Sequence, residues 1–299
     1  MADRSTPFTG LSAFPLTPAS ASGDIMVDEF GALLARLEDS AVDSVGVLGS
    51  TGGAAYLNRA QRRRAIKTAR DALSKPVIAG VSALRTDQVL DHALDAQKSG
   101  ADGILLSAMS YIPLNDREVV RLFERVNEAV DLPICIYNNP GTTKFTFSPA
   151  LIGELSQLDH VVAMKDGANS HEELAARRAD IRPLVDETFV IGMSGDSLAV
   201  EALIGGSGAW YSVLAGTLPD ACTALVNAIA DGHHDEARRR DAALQSMWEL
   251  MRRVGSIRVM YALVELLGYS TALPPEPLLP LGYDEKAALI LALEAGQLV

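Results

Sequence analysis

The sequence predicts an α/β chain folded as a (β/α)8 TIM barrel with additional C-terminal helices. Three observations carry that expectation. Eight short apolar runs alternate with eight amphipathic stretches over roughly the first 230 residues, the length of one closed barrel. The runs are nearly continuous in apolar residues, as buried parallel strands are when helices cover the sheet. No glycine-rich dinucleotide fingerprint follows the first run, which weighs against an open doubly wound sheet.

In chain order the expected strands are Gly10–Ala13, Ser44–Val47, Val77–Gly80, Gly103–Leu106, Ile134–Tyr137, Val161–Lys165, Phe189–Gly192 and Gly208–Ser212. The helices between and after them are Asp28–Asp39, Asn58–Leu73, Thr86–Ser99, Asp116–Val130, Ser148–Leu158, Ser170–Ile181, Asp196–Ile204 and Leu218–Asp231. Asp28, Asn58, Thr86, Asp116, Ser148, Ser170 and Asp196 are the expected N-caps, because short polar side chains satisfy the free N–H groups of a first turn. Gly100 stands where a C-terminal cap belongs. The barrel is expected over residues 1–232. Residues 233–299 then form a helical extension packed on it: one or two helices over Asp235–Gly268 with a break at Gly255, a stiff Pro274–Pro277 linker, and a last helix over Asp284–Ala295.

Composition narrows the function classes. A hydrophobic fraction of 48% and a charged fraction of 21% are those of a globular enzyme. A net charge of −12 argues against nucleic acid, which needs a basic surface. The two cysteines, Cys135 and Cys222, have neither metal nor redox spacing and read as reduced residues of a cytoplasmic protein. Met1 to Pro7 lack the apolar core of a signal peptide, and no apolar stretch is long enough for a membrane span. His92 and His171 fall in helices, His160 precedes the sixth strand, and His233 and His234 lie in a polar loop. No metal site is therefore expected. No Gly-x-Ser-x-Gly elbow supports a serine hydrolase.

Chemistry in such a barrel gathers at the C-terminal ends of the strands. Lys165 ends the apolar run Val161-Val162-Ala163-Met164, and strict alternation would put Val161, Ala163 and Lys165 on one face. Desolvation on an apolar face favours the neutral amine, which is the form that attacks a carbonyl. The second strand ends in Gly49-Ser50-Thr51-Gly52-Gly53, where small residues and successive N–H groups suit a carboxylate. The fifth strand ends in Tyr137-Asn138-Asn139-Pro140. Tyr137 shares a face with Cys135 and has Lys165 on the neighbouring strand as a partner. Tyr111 lies in the loop after the fourth strand, and Gly192 ends the seventh.

Together, Gly49-Ser50-Thr51-Gly52, Tyr111, Tyr137-Asn138-Asn139-Pro140 and Lys165 make the chain resemble the dihydrodipicolinate synthase / N-acetylneuraminate lyase family of class I aldolases over nearly its whole length. The resemblance implies a Schiff base between Lys165 and the keto carbon of pyruvate or a 2-keto-3-deoxy acid, with no cofactor beyond that imine. It implies catalytic roles for Lys165, Tyr137, Ser50 and Tyr111, and substrate binding by Ser50, Thr51 and Gly192. Tyr111 would reach the site of a neighbouring subunit in a homotetramer or dimer. The family's arginine two residues beyond the proline is replaced by Thr142, and its glutamate after the glycine-rich run by Gly53. A dihydrodipicolinate synthase proper is therefore the less favoured reading, with Lys144 a candidate replacement charge. The alternatives to aldol chemistry are dehydration of a 2-keto-3-deoxy sugar acid and non-catalytic binding of a 2-oxo acid.

Overall fold

Parallel strands in register close on themselves in the computed structural model of this chain, which describes residues 6–298. Residues 1–5 and 299, which hold the outer bounds of the expected barrel and extension and most of Met1–Pro7, lie outside the described residues. The eight strands are β1 (Gly10–Ala13), β2 (Ser44–Val47), β3 (Val77–Gly80), β4 (Gly103–Leu106), β5 (Ile134–Tyr137), β6 (Val161–Gly167), β7 (Val190–Ser194) and β8 (Ala209–Ser212). Each pairs with its sequence neighbour, and β1 meets β8 from Gly10↔Ala209 to Ala13↔Ser212. The first five strands have the expected bounds. β6 and β7 run two residues further at their C-terminal ends, β7 starts one residue later at Val190, and β8 starts at Ala209 rather than Gly208.

Helices cover the barrel: α1 (Val27–Glu38), α2 (Arg59–Ala72), α3 (Thr86–Lys98), α4 (Asp116–Asn127), α5 (Pro140–Thr143), α6 (Pro149–Leu155), α7 (His171–Ile181), α8 (Ala199–Ile204) and α9 (Pro219–Ala230). Asn58, Ser148 and Ser170 cap their helices through the side chain, Asn58 in a reciprocal capping box with Gln61. Four expected caps are corrected. Asp28 lies inside the first turn of α1, and Thr86 begins α3 after Arg85. Asp116 follows the true cap, Asn115, which forms a capping box with Glu118. Asp196 opens a 3-10 turn before α8, and its carboxylate is spent on strand β8 instead. For Asp28 and Asp116 an acidic residue in a first turn still suits the helix dipole, so composition alone does not separate the two positions.

Two apolar layers fill the molecule. Phe8, Phe14, Ile78, Leu105, Cys135, Ala163, Val190, Ala209 and Tyr211 occupy the barrel interior, and a larger continuous layer lies between strands and helices. Gly46 exists for this interior, since a β-carbon there would stand 2.2 Å from the Phe14 ring. Strict alternation fails on β6. Ile134 pairs with Val161 but Cys135 pairs with Ala163, so Val162 is the extra residue of a bulge. Val161 consequently joins the outer layer while Val162, Ala163 and Lys165 turn inward. The expectation that Val161 shares the Lys165 face is thus corrected by one inserted residue.

Beyond the barrel come α10 (His234–Ala243), α11 (Gln245–Val254), α12 (Ser256–Leu266) and α13 (Tyr283–Ala295). Three helices, not one or two, occupy the Asp235–Gly268 stretch, because the chain breaks at Leu244 as well as at Gly255; His234 belongs to the first of them rather than to a loop. Met247, Trp248, Val259, Leu263, Leu289 and Leu293 belong to the same continuous apolar layer as the barrel helices. Thr271 donates to Glu29 through both its backbone N–H (3.0 Å) and its hydroxyl (2.9 Å), which ties the extension to α1. No helix among the described residues is long and apolar enough to cross a membrane.

Candidate active site

Lys165 projects from β6 into the barrel mouth, 3% exposed, beside its register partners Tyr137 on β5 and Gly192 on β7. Its Nζ lies 3.9 Å from the centroid of the Phe14 ring, 4.8 Å from that of Tyr137 and 5.8 Å from that of Tyr211. Among the described residues it has no hydrogen bond or ion pair. Burial lowers its pKa from 10.5 to about 8, against the opposing pull of negative charge at Asp196. The ring faces offset only part of the lost hydration. An amine in this setting is poised to lose its proton near neutrality.

Tyr137 stands at the end of the adjacent strand, half-buried. Its phenol oxygen lies 3.4 Å from Ser50 Oγ and accepts from Asn139 Nδ2 at 3.0 Å, while the same Nδ2 is 3.3 Å from Ser50 Oγ. Burial raises the phenol's pKa, and hydrogen bonds with Ser50, Ser194 and Asn139 oppose the rise. The group is a neutral O–H held between two hydroxyl-bearing neighbours, suited to handing a proton across the mouth.

The Gly49–Gly53 loop supplies the facing wall. Leu48 precedes it with φ at +59°, a left-handed conformation that costs a non-glycine residue energy. The backbone N–H groups of Ser50 and Thr51 donate to no group among the described residues, so both remain free for an anion. The Thr51 hydroxyl is otherwise engaged, 3.0 Å from Ser256 Oγ at the start of α12. Thr51 therefore offers its backbone N–H and only a shared hydroxyl.

Behind the mouth, a buried polar cluster fixes the ends of both strands. The Asp166 carboxylate, 1% exposed, accepts from Asn138 Nδ2 at 2.6 Å and from Arg177 Nε and Nη2 at 2.8 and 3.0 Å. Asn138 Oδ1 accepts from the Phe147 N–H, and Arg177 Nη2 donates to the Phe147 carbonyl. Asp196 plays a comparable part at β8, accepting from Trp210 Nε1 at 2.9 Å and from the Leu214 N–H at 2.8 Å.

These groups surround a cavity of about 280 Å³ lined by Lys165, Tyr137, Ser50, Thr51, Thr142 and residues of the extension. A second cavity of about 390 Å³ shares Ser50, Thr51, Tyr137 and Thr142 as its wall. Two expected site residues line neither cavity. Tyr111 is 89% exposed and lines neither cavity. Gly192, beside Lys165 on β7, is likewise absent from both linings; a β-carbon there would meet the Tyr211 ring at 2.5 Å, so it makes room for an aromatic side chain. Lys144 donates to its own Gly141 carbonyl at 3.0 Å and does not replace the missing arginine. Sequence reasoning missed Phe14, Asn139, Ser194, Trp248, Arg252 and Ser256. Asn139 and Ser194 carried a signal, the first its place within the Tyr137–Pro140 run and the second its place at the end of the seventh strand. No cluster of three or more His, Cys, Asp or Glu side chains able to hold a metal occurs among the described residues.

A model of the dihydrodipicolinate synthetase family matches residues 7–296. The chain superposes on dihydrodipicolinate synthase from Agrobacterium tumefaciens with a TM-score of 0.94 and 44% identity, covering 97% of this chain and 98% of that one. A prophage protein of Escherichia coli K12 that belongs to the dihydrodipicolinic acid synthase family, solved in complex with pyruvate, gives a TM-score of 0.90 at 25% identity over 98% and 99% of the two chains. The 4-hydroxy-tetrahydrodipicolinate synthase of Methanosarcina mazei is 28% identical over 284 residues, 94% of this chain and 96% of that protein.

Proposed function

The chain belongs to the dihydrodipicolinate synthetase family and is a lyase of that family, and from this premise we propose that it works through a Schiff base on Lys165, with pyruvate or a 2-keto-3-deoxy acid as substrate. The observation that carries the reading is a desolvated amine, free of ion pairs among the described residues, facing the Tyr137–Ser50–Asn139 triangle across one cavity. The neutral Nζ attacks the C2 carbonyl, and the carbinolamine loses water to give an iminium. That iminium accepts the electron pair of the C3–C4 bond as it breaks. The C4 hydroxyl proton leaves through Tyr137, releasing an aldehyde and an enamine that is protonated at C3 and hydrolysed to pyruvate. Ser50 relays the proton, and the free N–H groups of Ser50 and Thr51 hold the C1 carboxylate. The pyruvate bound by the Escherichia coli relative supports this donor. Thr142 in place of the arginine argues against dihydrodipicolinate synthesis itself, since a hydroxyl cannot clamp a carboxylate as a guanidinium does.

On this reading the enzyme is cytoplasmic and needs no cofactor. It assembles as a homotetramer or dimer so that Tyr111 of one subunit approaches Ser50 of another. The exposure of Tyr111 in the single chain supports that arrangement.

Borohydride reduction in the presence of pyruvate, followed by peptide mass spectrometry, is expected to leave a pyruvyl adduct on Lys165. An adduct on another lysine, or none with pyruvate in excess, would sink the reading. The rate of adduct formation should climb as pH rises through about 8, because the reactive amine is the deprotonated form. Tyr137→Phe should still trap pyruvate but turn over roughly 10²–10⁴-fold more slowly. Unchanged turnover would remove the phenol from the proton path.

A further inference from the structure

Arg252 lines the same cavity as Lys165 although it comes from the C-terminal extension. Trp248, Met251 and Arg252 follow the spacing of one face of α11, and all three border that cavity together with Ser256 at the start of α12. The end of α11 is pinned over the barrel mouth on two sides. Trp248 is buried and donates through Nε1 to Asp241 Oδ1 at 2.9 Å. Gly255 then turns the chain at φ +89°, ψ 133°, which a side chain rarely permits, and Ser256 meets Thr51 at 3.0 Å.

Lys165 and Arg252 are the two basic residues of the lining, and Asp196 is its one carboxylate. Asp196 is fully occupied by Trp210 and the Val213 and Leu214 N–H groups. Among the described residues the Arg252 guanidinium has neither ion pair nor hydrogen bond, and the residue is exposed where it lines the cavity. On a chain of net charge −12, an uncompensated guanidinium lining the cavity that holds Lys165 suits recognition of an anion.

We infer that Arg252 binds a second anionic group, so that the substrate is a 2-oxo acid with an anion at each end. The orientation rests on the imine reading. With C2 bonded to Lys165 and the C1 carboxylate against the Ser50–Thr51 loop, the rest of the substrate extends towards the extension helices. The far end meets Arg252, which supplies from α11 the charge that Thr142 does not. This makes the extension part of the specificity pocket, with a bidentate fork that discriminates a charged end from a neutral one.

The test compares 2-oxoglutarate with 2-oxopentanoate, which differ in the charge of the far end. Half-saturation of borohydride trapping is measured for both in the full chain and in Arg252→Met. Wild type is expected to favour 2-oxoglutarate by roughly 10- to 100-fold, the range of a hydrogen-bonded charge pair. Arg252→Met should erase that preference and Arg252→Lys should retain part of it. Equal half-saturation in wild type, or a preference that survives in Arg252→Met, overturns the proposal while leaving the imine intact. If neither acid is trapped, the pyruvate adduct decides the imine reading, and calorimetric binding of glutarate decides the anion site separately. Glutarate binding lost in Arg252→Met upholds it; glutarate that binds both proteins equally, or neither, overturns it.

Discussion

Lys165→Met is expected to abolish turnover and, at the same time, to stabilise the protein by about 3 kcal/mol at pH 7. The native pKa of about 8 against an ordinary 10.5 means that the folded chain holds this proton less tightly than the unfolded chain does. At roughly 1.4 kcal/mol per pKa unit, the charged amine therefore destabilises the fold by about 3 kcal/mol at any pH below 8. Across the window from 8 to 10.5 the unfolded chain carries protons the native chain has released, so wild-type stability rises with pH. Above that window the penalty vanishes. Methionine has a similar volume and makes favourable sulfur contacts with rings such as Phe14 and Tyr211, so it removes the charge without opening a void. The variant should melt about 6 °C above wild type at pH 7, by the scaling for chains of this size. The two melting temperatures should converge near pH 10.5. A variant that melts at or below wild type at pH 7 would show that the amine is better hydrated than its surroundings indicate. On the proposed mechanism, lysine at this place is a stability cost that the chemistry requires.

Arg177→Met is expected to destabilise the protein by about 3–5 kcal/mol, the usual consequence of leaving a buried charge without its partner. Asp166 would keep only Asn138 as a donor, and the Phe147 carbonyl would lose its guanidinium contact. Asp166 and Asn138 adjoin Lys165 and Tyr137 in the chain and bond the ends of β5 and β6 together. Loosening that bond should therefore lower kcat more than it raises KM. Adding Asp166→Asn to Arg177→Met should restore part of the stability, because the orphaned charge is gone. Urea denaturation of the single and double variants measures both effects. A loss below about 1 kcal/mol in Arg177→Met would mean that solvent reaches the carboxylate and the cluster positions nothing.

Much of this molecule was legible because barrel strands are short, doubly buried and separated by helices, which leaves an unambiguous apolar rhythm. Strands β1 to β5 emerged with their observed ends. Helix starts were less legible. Asn115 and Asp116 are adjacent polar residues that obey the same capping chemistry, and only backbone geometry chooses between them. The bulge at Val162 was invisible for a different reason. One inserted residue reverses the side of its neighbours without altering the composition of an all-apolar run.

The sequence by itself determined the closed barrel and the positions of Lys165, Tyr137, Ser50 and Thr51 at strand ends, because those follow from local periodicity and the order of elements. Tertiary structure alone decided that Asn139 bridges Tyr137 and Ser50, that Phe14 underlies the amine, and that Gly192 serves Tyr211. It also decided that Arg252 and Ser256, far along the chain, return to the mouth. The physical reason is range. A strand or helix is written in residues a few positions apart, whereas a cavity wall joins segments separated by a hundred or more, and no local pattern records which of them will meet.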